Sequence, residues 1–214
     1  MLPLSEFIAS LTRALKGPLP GYKAHNKLSW FRRQPFTEEL INSKGFKESA
    51  VLILIWPDKE TFRCLLIRRP EYDGVHSGQM AFPGGGKEAE DKNLVHTAIR
   101  ETKEETGVLI SEDSVLGELS PLFIPVSNYL VYPFVACLDS QPIFNPDPVE
   151  VSALVDFDLR VILTKDSIRT KRRLMQPGIT AEAPYYAIEG SEVWGATGMI
   201  LSELSELLKI FIFS

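Results

Sequence analysis

Residues 82–108, FPGGGKEAEDKNLVHTAIRETKEETGV, combine glycines, a periodic apolar pattern and clustered acids in one segment. Three consecutive glycines stand near its start, and another glycine, Gly107, stands near its end. Between them, apolar or small residues recur at the spacing of one helical face: Val95, Ala98, Ile99 and Thr102. The pattern predicts a helix over residues 92–105, packed against a core and set between two glycine-containing loops.

Three carboxylates lie on the opposite face of this predicted helix. Glu101, Glu104 and Glu105 are spaced i, i+3 and i+4, so their side chains reach a common point. On a solvated helix such a cluster costs only a few tenths of a kcal/mol per like pair and needs no function. Here the helix is pinned by its apolar stripe, and the adjacent Arg100 can orient the carboxylates by bidentate pairing. We therefore interpret the cluster as functional.

Oxygen ligands without cysteine or histidine favour Mg²⁺ or Mn²⁺ over zinc. Flanking glycines let backbone carbonyls approach such an ion closely, and a diphosphate brings further oxygens to it. A bound ion lowers the pKa of a coordinated water, so that hydroxide attacks phosphorus. The segment thus predicts metal-dependent hydrolysis of a diphosphate linkage.

Composition predicts one compact domain over residues 1–214. The apolar fraction of 44% and the charged fraction of 24% are ordinary for a globular protein. A net charge of -5 provides no positive field for a phosphate backbone, which argues against long nucleic acids as partners. Cys64 and Cys137, the two cysteines, lack metal-ligand spacing and suggest no disulfide framework. We expect a cytoplasmic protein.

The N-terminal segment predicts a docked helix followed by an arm. Leu4, Ile8, Leu11 and Leu15 recur at helical spacing with polar residues between them, unlike the unbroken apolar core of an export signal. We expect a helix over residues 5–16 and an irregular arm up to residue 46. No apolar run approaches the roughly 20 residues that span a bilayer, so we expect no membrane partner.

The rest of the chain predicts a sheet with helices. The apolar run at residues 50–56 is typical of a strand covered on both faces, and residues 62–68 follow it as a hairpin partner. The remaining predicted elements are strands at 115–125 and 129–138, helices near 156–163 and 195–209, and a β segment at 185–188. This order indicates an α+β fold with a mixed sheet packed between helices.

Residues 100–108, RETKEETGV, closely resemble the second half of the box that defines the Nudix hydrolases. The first half departs from the general pattern. Counting back from Arg100, the usual glutamate position falls on Lys92 and the glycine position on Gly86. Starting from Gly85 instead, the acid position falls on Asp91, with a spacer one residue longer.

This displacement is similar to that of the coenzyme A pyrophosphatase branch of the family, which has an aspartate at the position of Asp91. The segments LLIRR (65–69) and HSGQMAFPGG (76–85) resemble the signature that this branch carries before its box. Residues 145–151 and 193–197 resemble its later landmarks. The resemblance implies an α/β/α sandwich with a loop-helix-loop catalytic segment at residues 84–108.

The same resemblance implies a reaction and its residues. Coenzyme A or acyl-coenzyme A would be cut to 3′,5′-ADP and (acyl-)4′-phosphopantetheine, with Mg²⁺ or Mn²⁺ as cofactor and a homodimer as the assembly. Asp91 would tie the loop to the helix. The implied catalytic residues are Arg100, Glu101, Glu104 and Glu105, the implied metal ligands are those three glutamates with a carbonyl at Gly84 or Gly85, and the implied substrate-binding residues are Arg68, Arg69, His76 and Gly85.

Four assignments stay open at this point. The general base is one of the box glutamates or an acid of another loop, such as Glu150. His76 either contacts substrate or is a hydrogen-bonded structural residue. Arg68 and Arg69 either clamp a phosphate or are exposed at a strand end. For Trp194, we expect a core anchor rather than a stacking platform.

Other functions compete with this hypothesis. Hydrolases of ADP-ribose or of dinucleoside polyphosphates share the cleaved linkage, and a non-catalytic nucleotide-binding Nudix module shares the fold. The intact glutamate triplet argues against the non-catalytic module. An isomerase of prenyl diphosphates would need a reactive cysteine, and neither Cys64 nor Cys137 has a motif for that role.

Overall fold

The apolar run at residues 50–56 lies in β1 (Lys47–Asp58), the central strand of the larger of two sheets in the computed structural model. The structure describes residues 2–33, 45–73, 76–176 and 178–212, so part of the predicted arm lies outside the described residues. Antiparallel pairing with β2 (Thr61–Arg68) and parallel pairing with β7 (Tyr129–Cys137) cover both edges of β1. The predicted hairpin and the buried central strand are confirmed.

Five shorter strands of the described residues complete this mixed sheet. Their bounds are β3 (Met80–Ala81), β4 (Gly84–Gly86), β5 (Val115–Glu118), β6 (Leu122–Ile124) and β8 (Ala153–Asp158). The main path of the sheet runs β3-β2-β1-β7-β5, while β4 pairs with β1, β6 with β7 and β8 with β2.

Helices cover both faces of the sheet. Ile53 and Ile55 of β1 join one core cluster, which includes residues of α1 (Leu4–Leu15) and of the C-terminal helix (Gly195–Ile212). Leu52, Leu54 and Trp56 point to the opposite face and join a second cluster. That second cluster also contains Ala98 of the predicted box helix, Leu94–Thr106. The predicted α+β sandwich with a mixed sheet between helices is confirmed.

The helices are numbered in chain order: α1, α2 (Tyr22–His25), α3 (Leu94–Thr106) and α4 (Gly195–Ile212). Asn93 caps α3 by accepting a hydrogen bond from the His96 N–H at 2.9 Å. Gly107 ends the helix with a φ of 74°, a left-handed conformation that favours glycine. The helix predicted at residues 92–105 is therefore shifted by one or two residues.

A second, three-stranded antiparallel sheet is the main feature that the sequence did not predict. Its strands are β9 (Ile168–Gln176), β10 (Ile179–Ile188) and β11 (Ser191–Val193), and only part of β10 was expected. The helix expected near residues 156–163 is wrong for its first part, because β8 continues to Asp158. A 3₁₀ helix, Leu159–Leu163, follows it. None of the described helices is both long and apolar enough to cross a membrane.

A buried carboxylate joins the N-terminal segment to α4. Glu203 is fully buried, and its Oε1 accepts hydrogen bonds from the Gly21 N–H at 2.8 Å and from the Ser120 hydroxyl at 2.6 Å. The Ser120 N–H also donates to Glu203, and the ring nitrogen of His25 lies 2.9 Å away. Because an unpaired buried charge is costly, this network ties α2, the β5–β6 loop and α4 together.

We predict that Glu203→Ala lowers the free energy of unfolding by about 3–5 kcal/mol, because it removes the acceptor of the buried His25 and of the partly buried donors of Gly21 and Ser120. Urea denaturation of the purified protein measures this. Glu206→Ala, one turn further along α4, is the matched control. Its half-exposed pairs with Lys27 and Lys209 contribute at most about 1 kcal/mol each. Equal losses for the two variants would contradict the role assigned to the Glu203 network.

Candidate active site

The three glycines of β4 bring the backbone of the sheet against α3. Gly84 has a φ of 151°, and a Cβ atom there would lie 2.3 Å from the Ala50 carbonyl oxygen. A Cβ on Gly85 would lie 2.4 Å from the carboxylate of Glu101, so this carboxylate rests directly on the backbone. Side chains at either position would fill the space between the strand and the helix.

The register of β4 turns the polar groups of Gly84 away from β1. Leu52 N–H donates to the Pro83 carbonyl and Lys87 N–H donates to the Glu48 carbonyl, so the intervening Ala50 and Gly85 form a hydrogen-bonded pair. Gly84, in the alternate position, instead donates its N–H to Oε2 of Glu105 at 2.8 Å. The Gly84 carbonyl is likewise free of the β1 ladder.

Arg100 organises the remaining carboxylates. Its Nη1 lies 2.9 Å from Oε1 of Glu101 and 2.9 Å from Oε2 of Glu104. Its Nε and Nη2 each donate to the Asp91 carboxylate at 3.0 Å, and Nη2 also donates to the Gly86 carbonyl. A single planar guanidinium therefore fixes two box glutamates relative to the triglycine strand.

Asp91 ties the loop to the helix, as the resemblance implied. Besides the bidentate pair with Arg100, its carboxylate accepts hydrogen bonds from the Thr97 hydroxyl and from the Glu88 N–H, both at 2.9 Å. These contacts, led by the Arg100 hydrogen bond, hold the pKa of Asp91 well below its usual range. The displaced acid of the box is thus an ionised structural residue at the start of α3.

The box glutamates are electrostatically crowded. Burial raises the pKa of Glu105 to about 8, although the Gly84 N–H and the charge of Arg69 oppose the shift. Burial also raises the pKa of Glu101, against Arg100, and the nearby Glu104 and Glu150 raise it further. The negative charge of carboxylates that are both desolvated and close to one another is poorly compensated by nearby positive charge.

The residues present fit a divalent cation by chemistry. As they stand, no three acidic, histidine or cysteine side chains of the described part of the chain converge around one point. Arg100 lies between Glu101 and Glu104, and Glu105 is turned to the Gly84 N–H. The donors are nevertheless all hard oxygens, which are the ligands that Mg²⁺ and Mn²⁺ prefer.

A cleft of about 250 Å³ opens on the other side of the triglycine strand. Its floor is apolar and comes from the sheet and from α4, at Val51, Met80, Phe82, Ile124 and Ile200. Polar groups enter from the segment between β2 and β3, at Arg69, His76 and Gln79. All three glycines of β4 line this cleft, so it meets the carboxylates of α3 at one edge.

The structure brings some of the predicted substrate-binding residues together and leaves one outside. Arg69, His76 and Gly85 line the cleft, and the buried Nε of Arg69 has no hydrogen-bond partner among the described residues. His76 has a φ of 70° and its Nδ1 lies 3.1 Å from Oε1 of Gln79. The Arg68 guanidinium instead donates to the Ser191 hydroxyl at 2.9 Å, outside the lining of the cleft.

Two further placements differ from what the sequence suggested. Trp194 lies outside both core clusters and carries the guanidinium of Arg173 over its ring, so its prediction as a core anchor is wrong. It alternates with the buried Val193 and therefore points to the other face. Tyr129, which lines the cleft beside Gly86, was not singled out, because nothing but its place at a strand start marked it.

We predict that Asp91→Asn lowers the free energy of unfolding at pH 7 by about 1–3 kcal/mol, because a charged hydrogen-bond partner of Arg100 is lost. A depressed pKa stabilises the folded state above the ordinary aspartate pKa of about 4, and the effect is lost as pH falls below it. Chemical denaturation between pH 7 and pH 3 should show the difference shrinking below pH 4. Asp113→Asn, at an exposed site, is the control. A pH-independent difference would refute the assignment.

Comparisons with known proteins agree with this geometry. A family model described as the NUDIX domain matches residues 46–176. Two curated relatives are described as an uncharacterized Nudix hydrolase NudL. That of Photorhabdus laumondii is 32% identical over 172 residues, which cover 78% of this chain and 88% of the relative. That of Yersinia pestis is 32% identical over 164 residues, covering 77% and 81%.

A solved structure supports the fold. The crystal structure of a MutT/nudix family protein from Enterococcus faecalis matches with a TM-score of 0.55 and 16% identity, over 98% of this chain and 76% of that one. The chain therefore belongs to the Nudix family and is a pyrophosphohydrolase.

Proposed function

We propose that this enzyme hydrolyses the diphosphate linkage of coenzyme A or acyl-coenzyme A, to 3′,5′-ADP and (acyl-)4′-phosphopantetheine. One observation carries the proposal. The segment at residues 76–85, which resembles the signature of the coenzyme A branch, supplies much of the cleft wall, including His76, Gln79, Met80 and Phe82. The part of the chain that distinguishes this branch is thus the part in position to contact the substrate.

The cleft and the carboxylates are suited to different parts of such a substrate. Coenzyme A combines a diphosphate with a long, thin and partly apolar pantetheine arm. The carboxylate edge at Gly84 and Gly85 is suited to the diphosphate with its cations, and the apolar floor of the cleft is suited to the arm. We place Arg69 against a phosphate, because its charge already acts on Glu105 and its Nε lacks a partner among the described residues.

Nudix hydrolases use divalent metal ions, and here we propose Mg²⁺ or Mn²⁺ held by Glu101, Glu104, Glu105 and the Gly84 carbonyl. When bound, the ion supplies charge neutralisation at the diphosphate and acidifies a water. Arg100 orients Glu101 and Glu104 from its anchor on Asp91. Gly85 leaves the space that the Glu101 carboxylate needs, and its backbone faces the substrate cleft.

The attacking water must also lose a proton. We propose that a box glutamate or Glu150 accepts it. Glu150 lies on the loop that follows β7, and its charge acts on both Glu101 and Glu105. That loop is tied to the end of α3, because Asn145 N–H donates to the Thr106 carbonyl and Asp147 N–H to the Glu105 carbonyl. His76, oriented by Gln79, contacts the substrate from the opposite wall.

The wider setting follows from the sequence. We propose one domain over residues 1–214, acting in the cytoplasm as a homodimer on a small nucleotide-diphosphate substrate. Two buried, unpaired thiols, Cys64 and Cys137, are in keeping with a reducing compartment.

We predict that coenzyme A yields 3′,5′-ADP and 4′-phosphopantetheine with Mg²⁺ or Mn²⁺, and is hydrolysed faster than ADP-ribose or a dinucleoside polyphosphate. Chromatographic separation of the products measures this. Glu104→Gln should lower kcat at least about 100-fold, because it removes a charge from the metal-binding face. Glu112→Gln, on an exposed 3₁₀ helix, should leave the rate unchanged.

Other outcomes select among the alternatives. Preference for ADP-ribose or a dinucleoside polyphosphate would refute the coenzyme A assignment and keep the pyrophosphohydrolase. Hydrolysis of none of these substrates, together with nucleotide binding, would favour the non-catalytic module. An unchanged rate in Glu104→Gln would contradict the role of the carboxylate cluster.

A further inference from the structure

The outer face of the second sheet carries an unusual concentration of positive charge. Arg169, Lys171 and Arg173 alternate along β9 and therefore point to the same face. Their cross-strand partners on β10 are Tyr185, Ala183 and Ala181, of which two are too small to cover them. The chain as a whole has a net charge of -5, so this cationic face is a local exception.

Arg173 is held in a fixed orientation on this face. Its guanidinium carbon lies 4.6 Å from the ring centre of Trp194 and 5.7 Å from that of Tyr185. Its Nη2 contacts Glu192, which also accepts a hydrogen bond from Lys171 at 2.9 Å. The Arg173 side chain is only 16% exposed, and its Nε has no hydrogen-bond partner among the described residues.

Among the residues that the structure describes, the acidic partners on this face do not balance its cations. Glu192 is shared between Lys171 and Arg173, and Arg169 is exposed. The salt bridge between Arg173 and Glu192 would form without the two aromatic rings beside Arg173 and without the further cation, Arg169. An oriented guanidinium with neighbouring cations is the arrangement that recognises a phosphate group.

The sheet that carries this face adjoins the wall of the cleft. Trp194 lies two residues before Ala196, which lines the cleft together with Thr197. The Thr197 hydroxyl donates to the Met80 carbonyl, so the start of α4 is fixed to β3 of the cleft wall. Arg68, whose neighbour Arg69 lines the cleft, contacts Ser191 of β11. Two links thus connect the second sheet, which carries the cationic face, to the wall of the cleft.

We propose that Arg169, Lys171 and Arg173 form a subsite for a phosphate monoester on the substrate, separate from the diphosphate that is cleaved. This inference rests on the proposed function, because coenzyme A carries such a group on the 3′ position of its ribose, whereas ADP-ribose does not. The subsite explains how one enzyme of this fold favours a nucleotide with a third phosphate. It also assigns a role to β9, which the sequence did not predict as a strand.

The test compares substrates and ligands that differ only in this phosphate. KM is measured for coenzyme A and for dephospho-coenzyme A with the wild type and with the double variant Arg169→Gln, Lys171→Gln. Binding of 3′,5′-ADP and of 5′-AMP is measured by calorimetry with the same proteins. The matched control is Arg172→Gln, which removes a charge from the same strand but from the opposite face, across from Glu182.

We expect the double variant to raise KM for coenzyme A about tenfold and to leave KM for dephospho-coenzyme A unchanged, as for the loss of charged hydrogen bonds. The same variant should weaken 3′,5′-ADP to the affinity of 5′-AMP, and Arg172→Gln should change neither. Equal binding of 3′,5′-ADP and 5′-AMP to the wild type would overturn the subsite, as would an equal effect of Arg172→Gln.

The binding measurement separates this inference from the proposed function. An enzyme that does not hydrolyse coenzyme A, yet prefers 3′,5′-ADP through Arg169 and Lys171, would refute the substrate assignment and support the subsite. An enzyme that hydrolyses coenzyme A and dephospho-coenzyme A with equal KM would support the diphosphate chemistry and overturn the subsite.

Discussion

The close approach of a side-chain-free strand to a helix is the constraint on which this structure depends. At Gly84 and Gly85 there is no room for a Cβ atom, because the Ala50 carbonyl and the Glu101 carboxylate occupy that space. Because the strand and the helix are so close, the backbone of β4 contributes to two surfaces of the protein. On one side the Gly84 N–H meets Glu105 of α3, and on the other the same glycines line the apolar cleft. The cleft and the carboxylates of α3 are therefore separated only by the backbone of β4.

This arrangement concentrates negative charge at a cost that the surrounding residues only partly offset. Arg100 neutralises Glu101 and Glu104 and is itself anchored by Asp91, and Arg69 acts on Glu105. The pKa values of Glu101 and Glu105 remain raised, chiefly by burial. In the function proposed above, a bound cation and diphosphate would compensate this negative charge.

Sequence reasoning succeeded where periodicity and chemistry act locally. The spacing of Glu101, Glu104 and Glu105, opposite an apolar stripe, sufficed to predict α3 and its acidic face, and the buried run at residues 50–56 sufficed for the central strand. The elements that were not predicted are those whose structure depends on contacts with distant parts of the chain. The strand β9 is rich in charged residues because one face is exposed, and its pairing with β10 is not encoded in its own pattern. For the same reason Trp194 was assigned to the core, and the contact of Arg68 with Ser191 could not be foreseen.

Binding of Mn²⁺ in the absence of substrate tests the central claim most directly, namely that the carboxylates at the triglycine edge form a cation site. Electron paramagnetic resonance titration of free Mn²⁺ measures the affinity of the wild type and of Glu105→Gln, with Glu112→Gln as control. We predict that Glu105→Gln weakens binding at least about tenfold, since a first-row cation loses a charged oxygen ligand, and that Glu112→Gln does not. Equal affinity of Glu105→Gln and wild type would contradict it.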